Sequence, residues 1–529
     1  MRDDKQRGLL DDFLRGRIGR RQFIQRMSAI GVSALASTSL LSTFAHAATP
    51  KRGGRLVVGA YGSVNDGLDP ARFNSVCGHS SGLTVYDTLV GRDQNLQPAP
   101  SLAESWEPNA DATEWTFKLR KDVVYHDGKP FTADDVIYSY SRIIADESTS
   151  PLKAVFTHIN EIRKDDPHTV RFVLSTPDVE FPLPCGDHRS AVVQAGHTDF
   201  TRTTVGTGPF RVTGYEPGVR YQFERNDDYW ADEGPYVDEI EFIGIQDPTT
   251  RLNALLSGDI DLLGGLDPLA LDLIERRDDV ALITAESSTP VSLTMMMDRS
   301  PSDNNNFRLA MKYAADRQKI VDVAYKGLAH VGNDHTISPI LPFHCDGIAQ
   351  REYDPERARH HIREAGLENV PINIHTSDVY PGIVAATEVF QEDAARAGIR
   401  INVVRVPSDT YWDTAWMIEP TCVAYWDARP SVNVMFSTVF ASDAPWNEAV
   451  WKNERFDRLL LEARATMDDS LRREMYCDMQ QMLQDEGGHS TWAHVNYSDA
   501  RRLHVQGITP HASGNFGFFK FARSVWLDT

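Results

Sequence analysis

The chain has 529 residues, 41% of them apolar and 24% charged, and a formal net charge of −21. This is a globular composition, which excludes a disordered chain, and its acidic balance argues against nucleic acid or an anionic membrane surface as a partner. A single core stops growing near roughly 250–300 residues, so this length calls for at least two lobes, with a ligand cleft between them.

Residues 1–47 read as an export signal. Arg20-Arg21-Gln22-Phe23-Ile24-Gln25 matches the twin-arginine pattern, the weakly apolar residues 27–44 are diluted by Ser, Gly and Thr, and Ala45-His46-Ala47 is a small-x-small cleavage site. Ser and Gly interrupt that stretch too often for a spanning helix, and no cysteine stands near the cleavage site to take a lipid. The expectation is a substrate of the twin-arginine translocase, released as a free protein into the periplasm. Removing the signal's surplus of positive charge leaves the remainder more acidic still.

Further along, Leu56-Val57-Val58-Gly59-Ala60 reads as a strand and residues 84–90 as a helix ending near Gly91. Residues 115–119 alternate as a half-buried strand, and Thr132-Ala133-Asp134-Asp135 opens a helix whose acidic first turn suits the helix dipole. Gly258-Asp259-Ile260-Asp261-Leu262 reads as a turn and strand, and residues 307–325 as helical, with Gly327 near the end. Asp354-Pro355 starts another helix that ends at Gly366. The strand at 372–375, a helix closed by Gly398 and the strand at 401–404 form a βαβ alternation, the mark of a parallel α/β lobe. Residues 454–484 make the longest amphipathic helical region, broken at Asp468-Asp469.

Chemistry-bearing patterns are few. Gly78-His79-Ser80-Ser81-Gly82 is a literal G-x-S-x-G, which would make Ser80 the nucleophile of a periplasmic serine hydrolase. A nucleophile elbow needs a buried strand before it and a helix after it. Residues 71–77 contain no such strand, so the segment is expected to be a glycine-rich loop entering the helix at Thr84. The histidines are scattered without metal-ligand spacing, and Gly206-Thr207-Gly208-Pro209 lacks the third glycine of a dinucleotide loop. No metal and no cofactor are therefore expected. Cys77, Cys185, Cys345, Cys422 and Cys477 are odd in number and widely spaced. An oxidising compartment permits one disulfide, but no pairing is legible, and most are expected to be small buried residues.

A series of phrases spans residues 51–525: Pro98-Ala99-Pro100-Ser101-Leu102-Ala103-Glu104-Ser105-Trp106, then Trp115 to Arg120, His126 to Val136, Gly206 to Phe210 and Glu224 to Trp230. In kind and order they resemble the peptide-binding branch of the family 5 bacterial solute-binding proteins, which feed ABC importers. The resemblance implies an α/β fold of two lobes joined by a hinge, with the ligand cleft between them. Lobe I would cover 48–290, with a subdomain at about 88–205, and 490–529; lobe II would cover 291–489. It implies a monomer that delivers a short peptide or peptide-like solute to an inner-membrane permease. Met295-Met296-Met297 is expected in the strand crossing between lobes, and Tyr411, Trp412 and Trp416 in the core.

The same resemblance supplies the candidate ligand-binding residues. Family members carry a W-x-x-D phrase whose Asp pairs with a peptide ammonium; here Tyr425-Trp426-Asp427-Ala428-Arg429 places Arg429 at that position. A guanidinium offers a fork to carboxylate or phosphate and repels an ammonium. Either Asp427 takes over the ammonium contact, or the ligand presents an acid, as an anionic solute or metal chelate would. Trp426 is expected to wall the ligand. Asn74, Ser75 and His79, from the loop near the cleft, and His494, after the second crossing, complete the set. A chaperone using the same cleft for unfolded segments is a third class of reading.

Overall fold

A computed structural model describes residues 49–64, 66–73, 75–200 and 204–528. The expected export signal and Asn74 lie outside the described residues. Strand β1 (Arg55–Ala60) leads to helix α1 (Val76–Val85), followed by β2 (Ala103–Pro108), β3 (Glu114–Leu119), α2 (Ala133–Ile144), β4 (Ile159–Asp166) and β5 (Thr169–Leu174). Next come β6 (Phe210–Glu216), β7 (Arg220–Arg225), β8 (Glu239–Gly244), α3 (Pro248–Ser257), β9 (Leu262–Leu263) and the long β10 (Val280–Met295). The second half holds α4 (Asn305–Tyr313), α5 (Arg317–Ala324), β11 (Ala329–Val331), α6 (Pro355–Glu364), β12 (Ile372–Thr376), α7 (Ile383–Arg396), β13 (Ile401–Arg405) and β14 (Thr421–Tyr425). It ends with α8 (Val432–Val439), α9 (Glu454–Ala465), α10 (Asp469–Glu486) and β15 (His489–Arg502).

One mixed sheet runs in the order β13-β12-β14-β10-β15-β9-β1-β8-β7-β6, with β11 also on β15. Its two ends are the two lobes. At one end β12 and β13 run parallel with α7 between them, the βαβ unit anticipated from the sequence. At the other, β1 runs parallel to both β8 and β9. Only β10 and β15, paired antiparallel, belong to both ends, and their register shifts between Ala285 and Thr289. Each end has a separate core, around Leu293, Ile374 and Phe390 in one and around Val58, Phe210 and Phe242 in the other. A ladder interrupted where the crossing strands leave one core for the next is where the backbone bends at least cost. This crossing is upstream of the expected position: Met295 ends β10, and Met296 and Met297 donate their amides to Pro420 and Ala449.

A four-stranded antiparallel sheet, β2-β3-β5-β4, forms a satellite with α2 across it, packed around Trp115, Phe117, Phe172 and Phe181. The amphipathic region breaks where anticipated, Asp468 capping α10 after α9 ends at Ala465. The stretch 307–325 is two helices, because Asp316 stops the run and caps α5 through the Lys319 amide. Of residues 84–90 only Thr84 and Val85 are helical, as the end of α1: Tyr86 is extended, and Val90–Arg92 is a strand. Among the described residues no helix is long and apolar enough to cross a membrane.

Candidate functional site

The G-x-S-x-G segment is helix, not the anticipated loop. Ser75 caps α1 by accepting from the Gly78 amide at 3.1 Å while its hydroxyl donates to Asp66. The glycines answer to packing: a Cβ on Gly82 would stand 2.0 Å from the Phe73 ring, and one on Gly78 2.8 Å from the Asp66 carboxylate. Ser80 therefore sits mid-helix, fully buried, with no strand before it and no hydrogen-bond partner for its hydroxyl among the described residues. This is the opposite of an exposed nucleophile elbow.

Where α1 faces the far lobe, a cavity of about 170 Å³ opens between segments drawn from the whole chain. One wall carries Ser75, His79, Arg92 and residues 187–189; the other carries Tyr380, Tyr425, Asp427 and Arg429. Tyr497 of β15 closes it near the hinge, its hydroxyl accepting from the Ala428 amide at 3.2 Å. Arg189 reaches across, 3.8 Å from Asp427 and 4.0 Å from Asp187. It also donates to the Phe73 carbonyl at 3.3 Å, and its other nitrogen lies 3.4 Å from His79 Nε2.

The charge balance of the cavity is opposite to that of the chain. Four arginines, Arg92, Arg189, Arg251 and Arg429, line it against two carboxylates, Asp187 and Asp427. Arg251 is engaged by the carbonyls of Ile245 and Gly265 at 2.6 and 3.1 Å, and Arg92 by Ser513 Oγ at 3.0 Å and Leu183 O at 3.4 Å. Arg429 has no ion pair among the described residues. Its guanidinium carbon lies 5.6 Å from the Trp426 ring centroid, and its buried Nε has no hydrogen-bond partner. Burial lowers its pKa, with Asp427 acting in the other direction. His188 is held well below the ordinary imidazole value by burial and then by Arg189, Arg429, Arg92 and Lys520, so it stands neutral among cations. His79, ring centroid 4.1 Å from that of His188, is lowered likewise by burial and then by His188 and Arg189. Among the described residues, no group of His, Cys, Asp and Glu is arranged to hold a metal ion.

The structure brings Ser75, His79, Tyr425, Asp427 and Arg429 together on this cavity. Trp426 turns to the other side of its segment, 8% exposed, its indole N–H donating to Glu448 at 3.0 Å in a core with Trp416 and Trp446. It is not the expected ligand wall, because the buried Glu448 carboxylate needs its donor. His494 is 1% exposed between Pro290 and His330 on the neighbouring strands, just short of the four cavity residues 495–498. Tyr411 is fully buried, Trp416 donates to Glu448, and Trp412 is 39% exposed. Sequence reading missed Arg92, Arg189, Arg251 and Tyr497. Only Asp187-His188-Arg189 carried a signal, as a charged triplet set between apolar residues.

The family model for bacterial extracellular solute-binding proteins, family 5, middle region, matches residues 97–448. The dipeptide-binding protein of Escherichia coli (strain K12) is 26% identical over 494 residues, covering 86% of this chain and 92% of that protein. In fold, a periplasmic binding protein from Helicobacter pylori in complex with the peptide STSA superposes with a TM-score of 0.79 at 23% identity, covering 90% of this chain and 99% of that one. The binding protein AgaA from A. tumefaciens R10 in complex with agropinic acid gives 0.78, also at 23% identity, with the same coverage. With the matched region spanning well over half its length, and a cleft walled by both lobes, the chain belongs to the family 5 bacterial extracellular solute-binding proteins.

Proposed function

We propose that this protein is the periplasmic binding component of an ABC importer, that it closes its lobes on a short peptide or peptide-like solute, and that it presents the closed form to an inner-membrane permease. The observation that carries this reading is the cavity itself: its lining side chains come from both lobes, and among the described residues two strands connect those lobes. A solute touching both walls favours the closed state by its differential affinity, which is all that closure requires. No bond is made or broken, consistent with Ser80 buried inside α1. Export through the twin-arginine route, signalled by Arg20-Arg21, and action as a monomer belong to the same reading.

Mass spectrometry of material released from the purified protein on denaturation tests it. A bound peptide or amino-acid conjugate is the expected result. A protein that releases nothing and binds no peptide-like solute would overturn the reading.

A further inference from the structure

Beyond the cleft lies a second cavity of about 440 Å³, between the satellite sheet's flank and α8. A narrow space of about 20 Å³ lies between the two: Asp187, Arg189 and Arg429 border it on the cleft side, and Val155, Val434 and Trp446 border it and the larger cavity. The charged groups around the larger cavity are already engaged. Glu180 is held by Ser431 and by Arg472 at 3.1 Å, Asp178 lies 3.1 Å from His158, Arg464 donates to Ser437 at 2.8 Å, and Lys153 donates to the Asp146 carbonyl at 2.7 Å. What they leave free for a ligand is an apolar wall of Val155, Val434, Pro445 and Trp446.

Beside this narrow space stands Arg429, which, unlike Arg92, Arg189 and Arg251, has neither an ion pair nor a side-chain hydrogen bond among the described residues. A half-buried guanidinium whose enclosed Nε has no partner gains from an anion that meets it, and the cleft as a whole carries two more arginines than carboxylates. Resting on the solute-binding reading above, we infer that the solute is an anionic amphiphile: an anionic oxygen group on Arg429, beside Arg189 and Arg92, and an apolar arm passing between Val434 and Trp446 into the larger cavity. An ammonium group at this position would meet three guanidiniums.

Calorimetry on the full-length mature protein separates head from arm with four probes. N-octanoyl-glutamate carries both features, N-acetyl-glutamate lacks the arm, and N-octanoyl-glutamine amide lacks the charge. Octyl phosphate replaces the carboxylate head, and whichever anion binds tighter names the headgroup. N-octanoyl-glutamate should bind about tenfold or more tighter than either incomplete probe, since each omission removes an apolar burial or a charge-assisted contact. Arg429→Ala should erase the preference for charge, and Val434→Phe, narrowing the passage, should erase the preference for the long arm. Equal affinities for all four probes on the unaltered protein would overturn the inference without relying on either variant. If unmodified dipeptides such as Ala-Ala bind while these acids do not, the inference falls and the binding-protein reading stands. If neither class binds and nothing is released on denaturation, both fall.

Discussion

Trp426 and Arg429 stand three residues apart and face different chemistry, one closing a core around Glu448 and the other opening on the cavity. Burial raises the pKa of the Glu448 carboxyl, but donors from His489, Trp416 and Trp426 outweigh it and hold the group below its ordinary value. Trp426→Phe keeps the ring and removes one of these donors. It should cost about 1–3 kcal/mol of stability by denaturant unfolding, the range for leaving a buried acceptor short of a partner, while solute affinity changes little. A large loss of affinity with unchanged stability would return Trp426 to the ligand wall. Asp427, by contrast, is 43% exposed and 3.8 Å from Arg189. Its ion pair adds little stability by itself, so its effect belongs to the balance between open and closed forms.

At the scale of elements, the satellite sheet is fastened to the far lobe through Glu180, which accepts from Ser431 on one oxygen and pairs with Arg472 of α10 on the other. Burial pushes the Glu180 carboxyl up to about 7, with Ser431 and Arg472 pulling it down, Asp178 adding to the rise and Arg464 opposing it. A carboxyl whose folded pKa is raised contributes stability that is present at low pH and lost as pH climbs through that pKa. From about pH 4.5 to 8 this single group should remove roughly 3 kcal/mol at most, and Glu180→Gln should flatten that part of the profile in thermal or denaturant unfolding. A profile unchanged by the substitution would place the slope elsewhere. Cys477 of α10 pairs with Cys345, a disulfide that closes a span of 132 residues. Cys345→Ser with Cys477→Ser should cost about 2–4 kcal/mol, mainly by freeing the unfolded chain, and a smaller loss would mean the denatured state is already compact there. This pairing was illegible in the sequence because two cysteines so far apart meet only through the tertiary fold. The βαβ unit and the break before α10 were legible, since periodicity, Gly398 and the Asp468 cap are local signals. Helix α1 was not: two glycines and two serines lower its local propensity, and only its packing on Phe73 and Asp66 makes it a helix. Arg429 was legible from its phrase, but Arg92, Arg189 and Arg251 were not, because only the fold gathers them from distant positions.

Among the described residues two crossing strands connect the lobes, with contacts already reaching across the gap: Arg189 to Asp427 at the cleft, Glu180 to Arg472 beyond it. The Arg189–Asp427 pair, with Asp427 partly exposed, is weak, while the buried Glu180–Arg472 contact is the firmer one and has to part where the lobes separate, so a solute bridging the walls adds to a bias toward closure that these contacts already set. The ladder irregularity between Ala285 and Thr289 lies beside this gap, with Ser288 donating to the Arg429 carbonyl at 3.5 Å. Bending there moves the Arg429 segment relative to the wall carrying His79 and Arg189. Solute released from the denatured protein, added back to solute-free protein, should therefore lower the radius of gyration in small-angle scattering. It should also raise the melting temperature by mass action, about 2.7 kcal/mol of stabilisation at a hundredfold excess over Kd. The two readouts separate binding from motion. A raised melting temperature with an unchanged radius would mean that the solute binds lobes already closed, and the crossing strands would then be a rigid link rather than a hinge.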